Sequence, residues 1–326
     1  MKREETALPA TGGARKRKAL EETALPATGG ARMRGALEWK RAALVQPALE
    51  ALLAKTDAAA RVRGDPVELP HRYSDPQDIE VAALLSAALA YGRVDLFKPR
   101  LAALLEALGK SPARVAREAS SAELLKRTKD FEYRMTGPRD VACLLQGAGA
   151  VLRKHGSLGA CFTLHFQELG QSVQNALGAF VDELCGEDFT PLTGQRGPTR
   201  RLKHLLPHPS RGSACKRLNL FLRWMIRGPD GVDFGLWREI PPSALVMPLD
   251  THVHRIGQFI GLTKRTDLSW RTAEDVTRRL RILDPADPVR FDFAISHLGI
   301  SGACASRRDE LRCAGCPLKP ICKHWS

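Results

Sequence analysis

Apolar residues recur at helical spacing along most of the chain, and the alternation that marks β-strands is almost absent. The pattern predicts helices separated by Gly, Pro or Ser. One segment, residues 78–91, is apolar almost all round, as a fully buried helix is. The sequence therefore predicts an all-α fold. The predicted helices cover residues 39–63, 78–91, 96–108, 140–153, 158–184, 202–206, 215–227, 251–261, 270–283 and 291–299.

The first predicted helix, residues 39–63, carries an apolar stripe that includes Leu44 and Leu49, and Pro47 is expected to break or kink its first part. The chain before it is different. Residues 4–20 recur almost unchanged as residues 21–37, and both copies are rich in Gly, Pro, Ala and Thr. Because two such copies cannot bury a core, residues 1–37 are predicted to be a disordered tail.

The chain carries a formal net charge of +14, from 50 Lys and Arg against 36 Asp and Glu. A polyanion is the default partner of so basic a chain. No apolar run reaches the roughly 20 residues that a membrane-spanning helix needs. The charged N-terminus also lacks the apolar segment of a secretory signal. We therefore expect a cytoplasmic protein without membrane contact.

The excess charge is concentrated in residues 189–229, which contain nine basic residues and no acidic one. A solvated basic face would account for such a segment. The lack of any interspersed acid favours phosphate contacts instead. The nine residues are Arg196, Arg200, Arg201, Lys203, Arg211, Lys216, Arg217, Arg223 and Arg227.

Four of the eight cysteines fall within the last 23 residues, with the spacing C-x8-C-x2-C-x5-C. Four thiolates this close in sequence can surround one metal ion or cluster and so staple the loop that carries them. The spacing leaves a zinc site and a [4Fe-4S] cluster open. The alternative without a metal is two disulfides or unligated thiols. The four residues are Cys304, Cys313, Cys316 and Cys322, whereas Cys143, Cys161, Cys185 and Cys215 are expected to be ordinary core residues.

Asp250 stands immediately before the predicted helix 251–261, in the run MPLDTHVHRI. A carboxylate there caps the helix and interacts with the positive end of its dipole. A fixed anion beside a basic face is also what a developing sugar oxocarbenium ion requires. Capping alone is the alternative. His252 is expected to support Asp250 from behind by packing or a hydrogen bond, and it does not share a metal with His254 because the two lie on nearly opposite faces.

Residues 78–326 resemble the helix-hairpin-helix DNA glycosylase superfamily, of which endonuclease III is the familiar member. Three features carry the resemblance in the right order. The stretch DIEVAALLSAALA is close to the family's LLSAQ helix, the run PLDTHVHRIGQFIGLT is similar to its V-D-T-H-V-x-R motif, and a four-cysteine loop closes the chain. The basic segment, together with YGRVDLFKP and PLDTH, also resembles an uncharacterised bacterial family at the edge of this superfamily.

The resemblance implies a six-helix barrel domain with a divergent helix-hairpin-helix beside a cluster domain made from both chain ends, with DNA bound between them. The barrel would cover residues 79–249, and the cluster domain residues 38–78 with 250–326. Asp250 would be the catalytic aspartate. The ending CPLKPIC is close to that of the family, so iron-sulfur is preferred to zinc, although the first cysteine gap is two residues longer here. The partner would be damaged double-stranded DNA, bound by a monomer associated with the nucleoid.

The hairpin departs from the family's L-P-G-V-G-x-K-T-A, since residues 206–216 keep only the opening Leu-Pro, one glycine and a lysine. Lys216 lies 34 residues before Asp250, a gap closer to that of the archaeal 8-oxoguanine glycosylase branch. This resemblance implies that Lys216 is the nucleophile, with a phosphate contact as the alternative. Gly212 is expected in a left-handed conformation that presents backbone amides to a phosphate. The residues expected to contact DNA are Arg200, Arg201, Lys203, Arg211, Gly212, Ser213 and Arg217.

The resemblance therefore implies a DNA repair glycosylase, with lyase activity, that acts on a flipped nucleotide. Ala88 stands where endonuclease III has the glutamine that fills the gap left by the flipped base, so Tyr91 or Arg93 would take that role. Phe221, Trp224 and Trp237 could stack on such a base, although core packing is the commoner fate of aromatic residues. The alternative is a non-catalytic iron-sulfur DNA-binding protein, including a redox-responsive one. It would bind DNA in a salt-dependent manner without releasing a base.

Overall fold

The computed structural model describes residues 41–325. Within them the chain is helical and forms no β-strand, which confirms the predicted all-α fold. None of these helices is both long and apolar enough to cross a membrane. The predicted disorder of residues 1–37 falls outside the described residues. The α-helices are α1 (Ala42–Ala54), α2 (Ala58–Val62), α3 (Pro76–Ala88), α4 (Val94–Leu108), α5 (Pro112–Glu118), α6 (Ser121–Thr128), α7 (Pro138–His155), α8 (Leu158–Glu168), α9 (Val173–Cys185), α10 (Thr190–Thr193), α11 (Arg200–Leu205), α12 (Lys216–Ile226), α13 (Thr251–Phe259), α14 (Trp270–Leu283), α15 (Asp292–Ile300) and α16 (Glu310–Cys313).

Helix α3 lies in the core. It begins after Asp75, whose carboxylate accepts hydrogen bonds from the amides of Gln77 and Asp78. Pro76 occupies the first helical position, where its missing N–H leaves no hydrogen bond unmade. Every residue from Asp78 to Ala88 is buried, as the all-round apolar pattern predicts. Helices α5 and α12 pack against it.

Two acidic residues of α3 are buried because they cap the N-termini of other helices. Glu80 accepts hydrogen bonds from the amides of Leu158 at 2.8 Å and Gly159 at 2.9 Å, and from Nε1 of Trp237 at 2.7 Å. Asp78 accepts a 2.9 Å backbone hydrogen bond at the start of α5. Burial raises the pKa of Glu80 to about 6, against the opposing effect of its three donors. The two carboxylates thus tie α3 to α5 and α8.

Replacing Glu80 by alanine is expected to lower the free energy of unfolding by about 3 kcal/mol, because three buried donors lose their acceptor. Urea denaturation followed by circular dichroism measures this loss. Glu106→Ala is the matched control, since it removes an exposed glutamate from α4 and should change the free energy of unfolding by less than about 0.5 kcal/mol. Equal losses in the two variants would contradict the capping role of Glu80.

The prediction of one helix over residues 158–184 was wrong, because this stretch forms α8 and α9. The chain turns between them at Gly170 and Gln171, whose φ angles of 71° and 56° are left-handed. Ser172 then caps α9, with its Oγ accepting a 3.3 Å hydrogen bond from the amide of Asn175. A turn and a cap within three residues end one helix and start the next while the apolar spacing continues.

The described part of the predicted helix 39–63, residues 41–63, also forms two helices where one was predicted. Asp57 caps the second of them, α2, through a 2.9 Å hydrogen bond from the amide of Ala60. Pro47 lies inside α1, which continues past it, so the helix does not end at the proline. Leu44, which the spacing placed on the buried stripe, is 62% exposed, and Val45 is buried instead.

Two short helices, α5 and α6, were missed by the sequence pattern. Helix α5 buries Ala113 and Ala116, and α6 buries Leu124 and Thr128. Helices of seven and eight residues complete about two turns, so they offer too few apolar positions for the 3.6-residue period to be recognised.

The two ends of the described chain meet. The guanidinium of Arg41, just before α1, donates a 2.7 Å hydrogen bond to the carbonyl of Ile321. Lys55 at the other end of α1 donates to the carbonyl of Gly315 at 3.2 Å. Helix α1 therefore packs against the C-terminal cysteine loop. The predicted two-domain division and the six-helix barrel stay predictions.

Candidate functional site

The hairpin that precedes α12 is held together by its own backbone and side chains. Gly212 has a φ of 78°, so the left-handed conformation expected there is present. Its amide donates to the carbonyl of Pro209 at 3.0 Å, and its carbonyl accepts from the amide of Trp270 at 3.0 Å. The Oγ of Ser213 accepts a 3.1 Å hydrogen bond from the amide of Cys215. The amide of Gly212, expected to meet a phosphate, is therefore used within the hairpin.

Cys215 fixes the first residue of α12. Its φ of 46° and ψ of 38° are left-handed, a conformation that costs a non-glycine residue about 1 kcal/mol or more. The buried thiol donates to the carbonyl of Pro207 at 3.2 Å, and Asn219 donates from Nδ2 to the carbonyl of Ala214 at 2.9 Å. These contacts set the direction in which α12 begins, and with it the position of Lys216.

Asp250 is the N-cap of α13, as predicted from its place in the sequence. Its Oδ1 accepts a 2.7 Å hydrogen bond from the amide of Val253. Oδ2 has no hydrogen-bond partner within residues 41–325. One oxygen thus anchors the carboxylate and the other remains available.

Lys216 and Asp250 line the same cleft, which has a volume of about 650 Å³. The segment after α3, the start of α4, one face of α12, the start of α13 and one face of α15 contribute its walls. Lys216 is half-buried, and its side chain makes no hydrogen bond or ion pair within the described chain. The residues that line the cleft also include Tyr91, Arg93, Arg223, His252, Asp292 and His297.

The other charged groups of the cleft are largely paired. Arg93 at its rim meets Asp95 at 2.6 Å. His297 approaches Asp65 at 3.3 Å, and the buried guanidinium of Arg223 bonds to Asp292. Arg217, which also lines the cleft, donates to backbone carbonyls. Among the described residues of the cleft, Lys216 and Asp250 are therefore the charged side chains that have neither an ion pair nor a backbone acceptor for their charge.

Asp292, at the first position of α15, was not singled out by the sequence. It is buried and shares Arg223 with Asp233, whose carboxylate lies 3.0 Å from that guanidinium. Burial raises the pKa of Asp292 to about 6, while Arg223 opposes the rise. Asp250 raises this pKa further and Lys216 lowers it, so both lie within electrostatic range of Asp292. The only signal in the sequence was an acid opening an otherwise apolar helix.

The remaining residues expected near Asp250 occupy fixed positions. His252 lines the cleft and packs against α15, where a side chain at Gly299 would collide with the imidazole. Its buried Nδ1 has no hydrogen-bond partner. Tyr91 is held by hydrogen bonds to the carbonyl of Tyr133 at 2.9 Å and to Thr136 at 2.7 Å. Arg93 is exposed at the rim and pairs with Asp95.

The basic segment reaches the surface only in part. Arg196, Arg200, Lys203 and Arg211 are exposed and have no ion-pair partner within the described residues. Arg201 is also exposed and lies 3.8 Å from Asp140. None of them lines the cleft. The exposed cations form a surface on and around α11 and the hairpin, separate from the cleft itself.

Three arginines of the segment point inward. Arg217 is buried, donates to the carbonyls of Ala88 at 2.6 Å and of His204, and stacks on the ring of Tyr91. These contacts hold Arg217 against α3 and α11 at the wall of the cleft, and the phosphate contact expected of it from the sequence stays a prediction. Arg223 and Arg227 form ion pairs with aspartates that follow the segment, Asp230, Asp233, Asp287 and Asp292.

The aromatic residues considered for base stacking belong to the core. Phe221, Trp224 and Trp237 are buried, and the ring of Phe221 meets that of Trp237 edge to face with centroids 5.3 Å apart. None of the three lines the cleft. All three residues therefore pack in the core, which is the commoner role of aromatic residues at such positions.

The four C-terminal cysteines surround a small cavity of about 30 Å³ below α13. No disulfide joins them. The cavity is lined by apolar side chains such as Phe259 and Leu318, and the buried ring nitrogens of His324 and Trp325 beside it lack hydrogen-bond partners. Burial raises the pKa of Cys316, and the thiols of the other three cysteines raise it further. Four thiols around one cavity nevertheless form a donor set that fits a metal ion or cluster bound by thiolates.

Comparison with known families adds one finding. Residues 65–301 match the family described as "Protein of unknown function (DUF2400)". The chain belongs to this family. The match includes both Lys216 and Asp250, begins at Asp65 and ends before the first of the four C-terminal cysteines. No curated protein matches the chain.

Proposed function

We propose that this protein is a DNA glycosylase with lyase activity, in which Lys216 is the nucleophile and Asp250 the catalytic carboxylate. The observation that carries the proposal is that these two side chains, opposite in charge and otherwise unpaired in the described chain, line one cleft. The volume of about 650 Å³ falls within the range of roughly 300–1,000 Å³ typical of small-molecule sites. It is therefore large enough for a nucleotide extruded from a duplex.

The chemistry would begin when the neutral amine of Lys216 attacks C1′ of the extruded nucleotide. The C1′–N bond to the base breaks, and the base leaves with the bonding electrons and takes a proton from solvent. Asp250 would stabilise the positive charge that develops on the sugar, accept the proton that the amine loses and return it to O4′ as the sugar ring opens to a protonated imine. Removal of a C2′ proton from the imine would then expel the 3′ phosphate. Asp292 would act as a positioning residue, because it lies within electrostatic range of both Lys216 and Asp250.

Binding of the duplex would rest on the exposed cations of the basic segment. Arg200, Lys203 and Arg211 are free to meet phosphates, which supply affinity without sequence preference. Arg217 would contribute indirectly by fixing α12 against Ala88. The partner proposed is therefore double-stranded DNA that contains a damaged base.

A panel of duplexes, each with one lesion, tests this function. Incubated with the full-length protein in excess, at least one lesion should be released as free base, and the strand should be cleaved at that site. Salt-dependent DNA binding without release of any base would contradict the proposal and favour a non-catalytic DNA-binding protein.

The single-turnover rate is expected to depend on pH through Asp292. Asp292 has a pKa of about 6, and its protonation below that pH removes a negative charge from the cleft in which the sugar cation would develop. The rate should therefore fall as the pH drops below about 6. Asp292→Asn should lose this fall, whereas Asp95→Asn at the rim should keep it.

We also propose that Cys304, Cys313, Cys316 and Cys322 hold a [4Fe-4S] cluster, which would brace the loop that they form. The cluster supports the fold and takes no part in the steps above. Protein purified without oxygen should contain about four iron atoms per chain and absorb in the visible range. Cys316→Ala should lose most of the iron, and Cys185→Ala should keep it. Zinc in place of iron in the anaerobic wild-type protein would contradict this assignment.

A further inference from the structure

A second group of metal-binding side chains lies away from the cleft, where α7, α8 and α9 meet. His155 is the last residue of α7, Cys161 belongs to α8 and Glu183 to α9. One potential ligand atom from each lies within 4.8 Å of the other two. None of these residues lines the cleft or the cysteine cavity. The group is therefore independent of the proposed repair activity.

The two imidazoles nearby point at one carboxylate oxygen. Nε2 of His155 lies 3.4 Å from Oε1 of Glu183, and Nε2 of His165 lies 3.5 Å from the same atom. Both ring nitrogens are buried, and neither has a hydrogen-bond partner, so each contacts Glu183 as an ion pair only when its imidazole is protonated. The side chain of His155 is only 10% exposed. Buried ring nitrogens without a hydrogen bond are costly, so this convergence requires an explanation.

The distances from Oε1 of Glu183 to Nε2 of His155 and to Nε2 of His165 match those between two ligands of one metal ion. Zinc binds nitrogen and oxygen at about 2.1 Å, which places tetrahedral ligand atoms about 3.4 Å apart. Cys161 and His165 are four residues apart on α8, so both side chains lie on the same face of the helix. A thiol, imidazoles and a carboxylate are the ligand types that zinc takes in proteins.

We propose that His155, Cys161 and Glu183 bind a divalent transition-metal ion of the zinc class, with His165 as the fourth ligand. Coordination by Cys161 replaces the thiol proton, which leaves to solvent. The ammonium of Lys154, 2.7 Å from Oε1 of Glu183 on a side chain that is 62% exposed, gives way to the ion. The bound ion satisfies both buried ring nitrogens and joins three helices at the junction where α7 ends and α8 begins.

The test is zinc binding by the full-length protein after dialysis against Zn²⁺ and removal of the free ion. Wild-type protein should retain one zinc equivalent more than His155→Gln or Cys161→Ala. All three proteins share the C-terminal cysteines, so the difference reports this site alone. Cys185→Ala, which removes a cysteine of α9 outside the group, should retain as much zinc as the wild type. Added Zn²⁺ should raise the melting temperature of the wild type but not that of His155→Gln.

Equal zinc content and equal melting shifts in the wild type and His155→Gln would overturn the proposal. Circular dichroism checks that each variant is folded. If Cys161→Ala does not fold, His155→Gln carries the test, because its substitution lies at the end of α7 and leaves the buried thiol in place. Co²⁺ provides a second readout, since its visible absorption reports thiolate coordination. The absorption should be weaker in Cys161→Ala than in Cys185→Ala, and equal absorption would also count against the site.

Discussion

Lys216→Gln is expected to lose covalent trapping on lesion-containing DNA. Borohydride reduces the imine that a lysine nucleophile forms with C1′, and the reduced adduct migrates as a protein–DNA complex. Glutamine keeps a polar side chain at the first position of α12 but cannot form an imine. Strand cleavage should fall by at least roughly 1,000-fold, in line with the loss of an essential nucleophile in other enzymes. Gel electrophoresis after reduction measures both effects.

Lys203→Gln is the matched control for this prediction. It makes the same substitution in the same basic segment, at an exposed residue of α11 outside the cleft. It should weaken DNA binding and reduce its salt dependence, as the loss of one phosphate contact does, while trapping persists at saturating protein. Trapping that survives in Lys216→Gln, or that disappears only in Lys203→Gln, would remove Lys216 from the mechanism.

Asp250→Asn is expected to slow base excision by about 100- to 1,000-fold. Asparagine caps a helix about as well as aspartate, so the hydrogen bond from the amide of Val253 and the fold of α13 should be preserved. The negative charge is lost, and with it the stabilisation of the sugar cation and the acceptor for the lysine proton. The single-turnover excision rate, measured at saturating protein, isolates this step from DNA binding.

Asp57→Asn provides the comparison that this experiment needs. Asp57 also caps a helix, accepts a 2.9 Å hydrogen bond from a backbone amide and lies outside the cleft. Its substitution should leave the excision rate within about two-fold of the wild type, since most exposed substitutions have small effects. If Asp250→Asn behaves like Asp57→Asn, the carboxylate of Asp250 is only a helix cap.

Local patterns in the sequence were enough to predict the fold class and the ends of several helices. The all-round apolar run of α3 and the aspartate before α13 depend on residues a few positions apart, so they can be read directly. The turn between α8 and α9 was missed because Gly170 and Gln171 change the backbone without interrupting the apolar spacing. Short helices such as α5 were missed for a different reason, because about two turns contain too few apolar positions to show the helical period.

The sequence could predict residues of the candidate site only where a single local motif contains them. Lys216 and Asp250 were found from their neighbours in sequence, but the cleft that joins them depends on how α12 and α13 pack. The basic segment shows the limit most clearly. Two of its three inward arginines, Arg223 and Arg227, are paired with aspartates that follow the segment in the chain. A count of charge within one segment could not reveal partners supplied by tertiary contacts.

If the proposed mechanism holds, the amine of Lys216 reaches the sugar of an extruded nucleotide in the cleft that Asp250 lines. Peptide mapping of the borohydride-trapped wild-type complex by mass spectrometry locates the modified residue. The DNA adduct should be found on the peptide that contains Lys216 and on its Nζ atom. An adduct on another lysine, such as Lys203 or Lys264, or no adduct with any lesion, would contradict it.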